Sequence, residues 1–451
     1  MITLSKPVPF LAAAAMAVTM TACVVPATPV QATPIQATAV AAPEIPDTPA
    51  GRQVRWLLDA SARPPIPESE LKEHFTAAFL QSVPADQLNQ ILTSLKGMRL
   101  QELTRSESTL LTAVVEAAGA LFDLSLTTDG TGLVDGLLFR PHVAPAPKDW
   151  TELDQRLSTL APQAGFIAAE VTKDGICRPV HTVAPGTARP LGSMFKLYVL
   201  GTVAERIASG AFRWDTQLTI TPKLKSLGSG GLENRPDNSK VSVLEAAKLM
   251  ISISDNTAAD LLIHKVGRKN VERTARAWGA RDKRDAPFLT TREMFVLKGA
   301  DYPRHAKKFL SLGTSGRRTY LDRVVAKVPL SRIAGWTAPR ELDTIEWYAS
   351  PAQVCQAFAR LSKLPDKRVG EALSINDAGL ALDKAEWPSV WFKGGSEPGV
   401  HDLGFLARTA DGRSFVVTAL ASDPGTPFDA GRTASEQLGL TRGAFTLVKG
   451  S

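Results

Sequence analysis

The sequence predicts an α+β protein: a five-stranded antiparallel sheet flanked by helices, preceded by a small α+β domain. Three observations carry this. Apolar residues alternate in short segments at both ends of residues 150–451, and helical periodicity fills the middle. The terminal strands come in pairs joined by Gly-containing turns, which implies antiparallel pairing. A separate pattern of helices followed by strands occupies residues 51–141 and gives way to the Pro-rich linker PHVAPAPKDW. With 451 residues, 44% hydrophobic and 22% charged, the chain has the composition of a globular protein of two or three domains.

Residues 1–22 read as an export signal. Lys6 supplies the positive start, and FLAAAAMAVTM (Phe10–Met20) is apolar but too short to span a bilayer. MTAC then places small residues before Cys23. This is either an ordinary signal peptide with a chance cysteine or a segment resembling the bacterial lipobox, whose cysteine is lipidated and becomes the first mature residue. The Pro/Ala/Thr-rich tether of residues 23–50 has no helical or strand period and favours the lipoprotein. The expectation is an exported bacterial lipoprotein, anchored to the membrane through Cys23 and held outside the cytoplasm. The net charge of +7 contains no long Lys/Arg block, so no nucleic-acid partner is expected and an anionic envelope fits equally well.

In the small domain, ESELKEHFTAAFLQSV (Glu68–Val83) and PADQLNQILTSL (Pro84–Leu95) have the i, i+3, i+4 spacing of helices. RLQELTRS, TLLTAVVEAA and LFDLSLTTDGTGLVDGLLFR predict strands, with turns at Asp129-Gly130 and Asp135-Gly136. The second domain opens with the helix DWTELDQRLSTL and the strands GFIAAEV and ICRPVHTV, joined at Lys173-Asp174-Gly175. After a helical middle come SVWFKGGS (Ser389–Ser396), LGFLART (Leu403–Thr409) and SFVVTALA (Ser414–Ala421), then a closing helix near Phe428–Leu440. The simplest closure is one sheet built from both ends of this domain.

LGSMFKLYVL (Leu191–Leu200) puts Ser193 and Lys196 at the head of an almost wholly apolar helix. Ser193 falls at the helix N-terminus, where free backbone N–H groups favour developing negative charge. Lys196 is one turn on, and a desolvated lysine there is neutral part of the time and can take the serine proton. On their own, an N-cap serine and a surface lysine are the better explanation of the pair. Two further signals follow in order. SVLEAAKLMISISDN has a capping-box start at Ser242 and Glu245 and ends at Ser254-Asp255-Asn256, 61 residues after Ser193. KGGSEPG then follows the apolar SVWF: Lys393 at a strand end, Gly394 and Gly395 to admit a substrate backbone, and the Ser396 N–H as an oxyanion donor.

SxxK, SDN and Lys-[Thr/Ser/Gly]-Gly in this order resemble the active-site-serine penicillin-recognising enzymes. The apolar helix after the serine and SDNTAADLLI look most like class A β-lactamases, over roughly residues 150–451. The two-domain layout and PFLTTREMFVLKG (Pro287–Gly299) are similar to a β-lactamase-like serine hydrolase family with a member in clavulanic acid biosynthesis. In that family an isomerase/cyclase-like α+β domain precedes the hydrolase domain. The resemblance implies a β-lactamase/transpeptidase-like fold and an acyl-enzyme reaction on a β-lactam, ester or peptide substrate, with no metal or organic cofactor. It implies Ser193 as nucleophile, Lys196 as its base and Ser254 as proton relay. Asn256 would hold a substrate amide. Lys393, Gly395 and Ser396 would form the carboxylate and oxyanion subsites, with the Ser193 N–H completing the oxyanion hole.

Two departures stand out. Gly394 lacks the family's hydroxyl. The class A segment Glu-x-x-Leu-Asn, whose glutamate activates the deacylating water, has no recognisable copy. Glu293 and Glu346 lack its pattern and read as surface or structural carboxylates. HAKKFLSLGTSGRRTYLDRVVAKVPLSRIAG has no counterpart in simple class A enzymes. A peptidoglycan D,D-peptidase and a penicillin-binding protein that acylates without turnover therefore remain as rivals to a weak β-lactamase or esterase. His181, His264 and His401 show no metal spacing. LGSGG (Leu227–Gly231) reads as a loop, since it lacks the lysine of a phosphate loop. Cys177 and Cys355 lie in separate elements; a disulfide is compatible with export, but buried free thiols are the expectation.

Overall fold

A computed structural model describes residues 43–228 and 231–450. The export segment, Cys23, the first part of the tether, and Ser229 and Gly230 of the LGSGG loop lie outside the described residues. The chain divides after His142 into two units.

In the first unit α1 (Pro49–Ala60), α2 (Glu68–His74), α3 (Ala77–Ser82) and α4 (Ala85–Ser94) precede an antiparallel sheet of four strands in sequential order. These are β1 (Arg99–Ser106), β2 (Leu110–Ala117), β3 (Ala120–Thr128) and β4 (Val134–Pro141). Alternation turns Leu111, Ala113, Val115, Leu124 and Leu126 inward, where Val54 and Leu57 of α1 join them in one core. The extended tether ends before the expected Ala50: the Thr48 hydroxyl accepts from Gly51 N, and Pro49 starts α1. The single helix expected over Glu68–Val83 is broken. Phe75 leaves helical geometry and is buried, and Thr76 caps α3 by accepting from Phe79 N. Asp135-Gly136 is no turn; both residues lie inside β4, with Gly136 opposite Thr127. The expected turn at Asp129-Gly130 is present, and the Asp129 carboxylate accepts from the amides of Thr131 and Leu133.

The second unit opens with α5 (Trp150–Leu160), β5 (Gln163–Val171) and β6 (Cys177–Val183). The two-residue strand β7 (Arg189–Pro190) leads to α6 (Lys196–Ala208), the paired strands β8 (Gln217–Thr219) and β9 (Lys240–Ser242), and α7 (Val243–Ser252). There follow α8 (Asn256–Val266), α9 (Arg268–Ala277), α10 (Thr291–Gly299), α11 (Arg304–Leu310) and α12 (Thr314–Arg323). β10 (Tyr348–Ala349) pairs with β7. Then come α13 (Pro351–Ser362), α14 (Lys367–Leu373), β11 (Ser389–Glu397), β12 (Val400–Arg408), β13 (Ser414–Ser422) and α15 (Ala430–Leu447). Five strands form one antiparallel sheet in the order β11-β12-β13-β5-β6.

Period-two alternation gives this sheet two apolar faces. Phe166, Ala168, Phe415 and Val417 pack with Leu157 of α5 and Leu440 and Phe445 of α15. Ile167, Ala169, Val416 and Leu420 pack with α6, α8 and α13 through residues such as Leu200, Leu262 and Phe358. Among the described residues no helix is long and apolar enough to cross a membrane.

The expectation of free thiols is overturned. Cys177 of β6 and Cys355 of α13 form a disulfide, with Cα atoms 6.3 Å apart across a sequence separation of 178. The reason is tertiary: α13 lies against β5 and β6, and its Gln356 donates to Gly175 O in the turn between those strands, at 3.0 Å.

Candidate active site

Ser193 does not sit on the first turn of α6 itself. It lies in a 3-10 turn, Gly192–Phe195, and α6 starts at Lys196. The turn is held from two sides. On one, Leu191 N donates to Trp347 O at 2.8 Å, and the Phe195 ring stacks on Trp347 with centroids 3.8 Å apart. On the other lies the backbone of β11. A Cβ on Gly395 would fall 2.0 Å from Leu191 O and 2.9 Å from Ser193 N, and one on Gly192, whose φ is +45°, would fall 2.9 Å from Ser396 N. Gly395 therefore admits the serine turn rather than a substrate backbone, which corrects that expectation. The close approach brings the Ser193 and Ser396 amides to one junction. Lys393 is also not at a strand end: β11 runs on to Glu397, and Lys393 is opposite Gly404.

Ser254 and Asn256 stand at the junction of α7 and α8. Ser254 adopts φ +59°, a left-handed conformation rare outside glycine. Asp255 holds the junction in place. One of its carboxylate oxygens caps α8 by accepting from Ala258 N, and the other accepts from Leu232 N, both at 2.7 Å. Its signal in the sequence is an Asp one position before a helix start, the N-cap pattern. At the other end of α7, Ser242 accepts from Glu245 N, but the Glu245 carboxylate turns to Arg235.

These pieces converge on Lys196, which is fully buried. Its ammonium lies 3.1 Å from Ser193 Oγ, 3.1 Å from Ser254 Oγ, 2.6 Å from Ser254 O and 2.7 Å from Asn256 Oδ1. Burial pulls its pKa down to about 7, against the opposing influence of Asp255 and Asp260. Lys393 reaches the same hydroxyl, 3.2 Å from Ser254 Oγ, and donates to Gly394 O at 2.6 Å. Burial, and then the charge of Lys196, hold its pKa well below the lysine range. Asn256 Nδ2 donates to Leu227 O at 2.7 Å. Thus Ser193, Lys196, Ser254, Asn256 and Lys393 form one hydrogen-bonded group, with Gly395 and Ser396 packed against its serine turn. Cys23 lies outside the described residues.

Glu293 and Glu346 are placed elsewhere. Glu293 completes a capping box with Thr290 and is held by Arg268 at 2.6 and 2.8 Å. Glu346 is buried against Lys298 at 2.8 Å. Among the described residues no carboxylate hydrogen-bonds to Ser193 or Lys196. His401 Nδ1 lies 2.7 Å from Gln437 Oε1, and His181 Nε2 lies 2.7 Å from Asp154 Oδ1. Among the described residues no group of His, Cys, Asp and Glu side chains is placed to hold a metal.

A partly neutral amine in contact with a serine hydroxyl can remove its proton, and backbone amides beside the hydroxyl can stabilise an oxyanion. Residues 45–134 match the N-terminal region of the ORF 12 gene product. The β-lactamase regulatory protein BlaB of Streptomyces cacaoi is 27% identical over 253 residues, covering 53% of this chain and 78% of that protein. A β-lactamase structure from Sphaerobacter thermophilus is 19% identical with a TM-score of 0.45, covering 66% of this chain and 96% of its own. One from Chitinophaga pinensis is 15% identical with a TM-score of 0.47, covering 67% and 98%. Residues 164–441, more than half of the sequence, match the β-lactamase enzyme family, and the chain belongs to that family.

Proposed function

We propose that this protein is an exported, lipid-anchored serine hydrolase that forms an acyl-enzyme on Ser193 with β-lactams and related amides or esters, and releases the acyl group slowly. One observation carries the reading: a fully buried lysine, Lys196, sits 3.1 Å from Ser193 Oγ with its pKa brought down to about 7. Neutral Lys196 takes the Ser193 proton as the hydroxyl attacks the carbonyl carbon. The Ser193 and Ser396 amides receive the developing oxyanion. Ser254, reached by both lysines, passes a proton to the leaving group. Asn256, once Lys196 shifts toward Ser193, offers its carboxamide to the substrate.

Slow release follows from where the carboxylates are. Glu293 and Glu346 are both engaged by cations, so a water held by Lys196 or Ser254 must do the hydrolysis. Lacking a positioned general base costs about 10²–10⁴ in rate, or roughly 3–5 kcal/mol of barrier. The same observation supports a second reading, a protein that acylates and stays acylated. A relative whose name describes a β-lactamase regulatory protein is compatible with it. Intact-mass time courses with a penicillin, a cephalosporin, a D-Ala-D-Ala peptide and a simple ester test all of this. The expected result is a lasting adduct on Ser193 with β-lactams, faster cycling with the ester, and no adduct in Ser193→Ala. Penicillin turnover at the rate of an efficient β-lactamase overturns the slow-release reading, and labelling that persists in Ser193→Ala overturns the nucleophile.

A further inference from the structure

We infer that Lys298, Glu346 and Glu397 form a clamp that positions the Ser193 turn and its oxyanion donors, a role that rests on the acyl-enzyme reading above. The ammonium of Lys298, on α10, lies 2.8 Å from Glu346 Oε1 and 2.6 Å from Glu397 Oε1. The three side chains are 0%, 0% and 8% exposed. Lys298 and Glu346 are closed to substrate and Glu397 nearly so, which leaves them to act through what they hold.

What they hold is specific. Glu397 is bonded to Ser396, whose amide meets the serine turn at Gly192. Glu346 is bonded to Trp347, whose carbonyl accepts from Leu191 N and whose ring stacks on Phe195. Lys298 thus joins the residue next to one support of Ser193 to the residue next to the other. Three sequence-distant positions meet on one nitrogen. Lys298 is itself fixed, because its carbonyl accepts from Arg340 Nη1 at 2.7 Å.

A buried ion pair is a poor source of stability, since apolar residues of similar volume often serve as well or better. Three buried ionisable groups meeting at this place are therefore better explained by geometry than by fold stability. The charge state fits a clamp. Two ionised carboxylates on one ammonium would leave a buried excess negative charge. Burial and the neighbouring Glu346 push the Glu397 carboxyl well above its usual range, while against burial the charge of Lys298 and a hydrogen bond with Glu397 keep Glu346 below its own. Glutamine at 397 is then a near-isosteric copy of the protonated acid.

The test compares Glu397→Gln, Glu397→Ala, Glu397→Asp and Lys298→Met in the full chain. The readouts are the maximal acylation rate and half-saturation with a penicillin, by intact mass, and amide exchange across Ser389–Glu397. Expected are a Gln variant within about threefold of the wild type, and Ala and Met variants slowed about 10²-fold, the worth of one oxyanion donor. Half-saturation should change little, and exchange across Ser389–Glu397 should be faster. Glu397→Asp, with the same charge but a shorter reach, should be slower than Glu397→Gln. Folded Ala and Met variants that acylate at the wild-type rate overturn the clamp, as does a Gln variant as slow as the Ala variant. If Ala and Met do not fold while Asp acylates like the wild type, the trio serves overall stability and the proposal fails. If the wild type takes no label, the hydrolase reading fails first. Unchanged exchange across Ser389–Glu397 in the Ala variant then also refutes the clamp.

Discussion

If Lys196 is the base, the acylation rate must follow its neutral fraction. A lysine with an ordinary pKa of about 10.4 is neutral in roughly four molecules per ten thousand at pH 7. With the pKa brought down to about 7 by burial, half the molecules are neutral at that pH, a gain on the order of 10³. The sign is set by which form works. Acid protonates the amine and stops catalysis, so the rate must rise with pH. From about pH 6 to pH 8 the neutral fraction climbs from roughly a tenth to nine tenths, and above that it saturates. A lysine at its ordinary value would instead show about a tenfold rise per pH unit through pH 9, with no plateau. The assay is the single-turnover rate of penicillin adduct formation, by quenched intact mass, across this range. Lys196→Ala should lose two or more orders of magnitude, about the worth of a general base, and lose the midpoint near neutrality. A profile that keeps rising through pH 9, or one that is flat, would refute the argument. So would a midpoint that survives in Lys196→Ala.

Further outcomes follow from other features. Gly395→Ala places a Cβ against Leu191 O, where only 2.0 Å is free, so β11 must move off the serine turn; acylation should fall about 10²–10³-fold while far-UV circular dichroism is unchanged. Lys393→Ala should weaken half-saturation for carboxylate-bearing substrates more than for neutral esters; an equal loss for both would deny it a carboxylate-binding role. Breaking the Cys177–Cys355 bond by Cys355→Ala or reduction should cost about 2–5 kcal/mol, read from urea unfolding, and an unchanged midpoint would show the bond idle. Cys23→Ser should leave the protein unprocessed or soluble rather than membrane-bound, and an unlipidated mature form beginning elsewhere would sink the lipoprotein reading.

Much of this was legible without coordinates, for a physical reason. A strand's alternation, the cap of a helix and a turn glycine are set within a few residues, so the five strands of the larger sheet can be read from GFIAAEV through SFVVTALA. The simplest closure of the second domain, one sheet built from both of its ends, is the one the structure has. Ser193, Lys196, Ser254, Asn256 and Lys393 stand out because SxxK, SDN and Lys-Gly-Gly follow one another in that order. What only the tertiary structure decided involves groups far apart in the chain. Cys177 and Cys355 pair because α13 lies on β6, and no property of either segment encodes that. Glu346 could be named but not placed; Lys298 and Glu397 show that it is a buried ion-pair partner and not a base beside Ser193. Gly395 reads locally as an opening for substrate, and only the approach of β11 to Leu191 O shows which backbone fills it. Even the lysine's ordinary or lowered pKa was undecided, since desolvation depends on how completely helices and sheet close around it. Local sequence specifies which conformations are favourable, whereas burial and proximity belong to the packed whole.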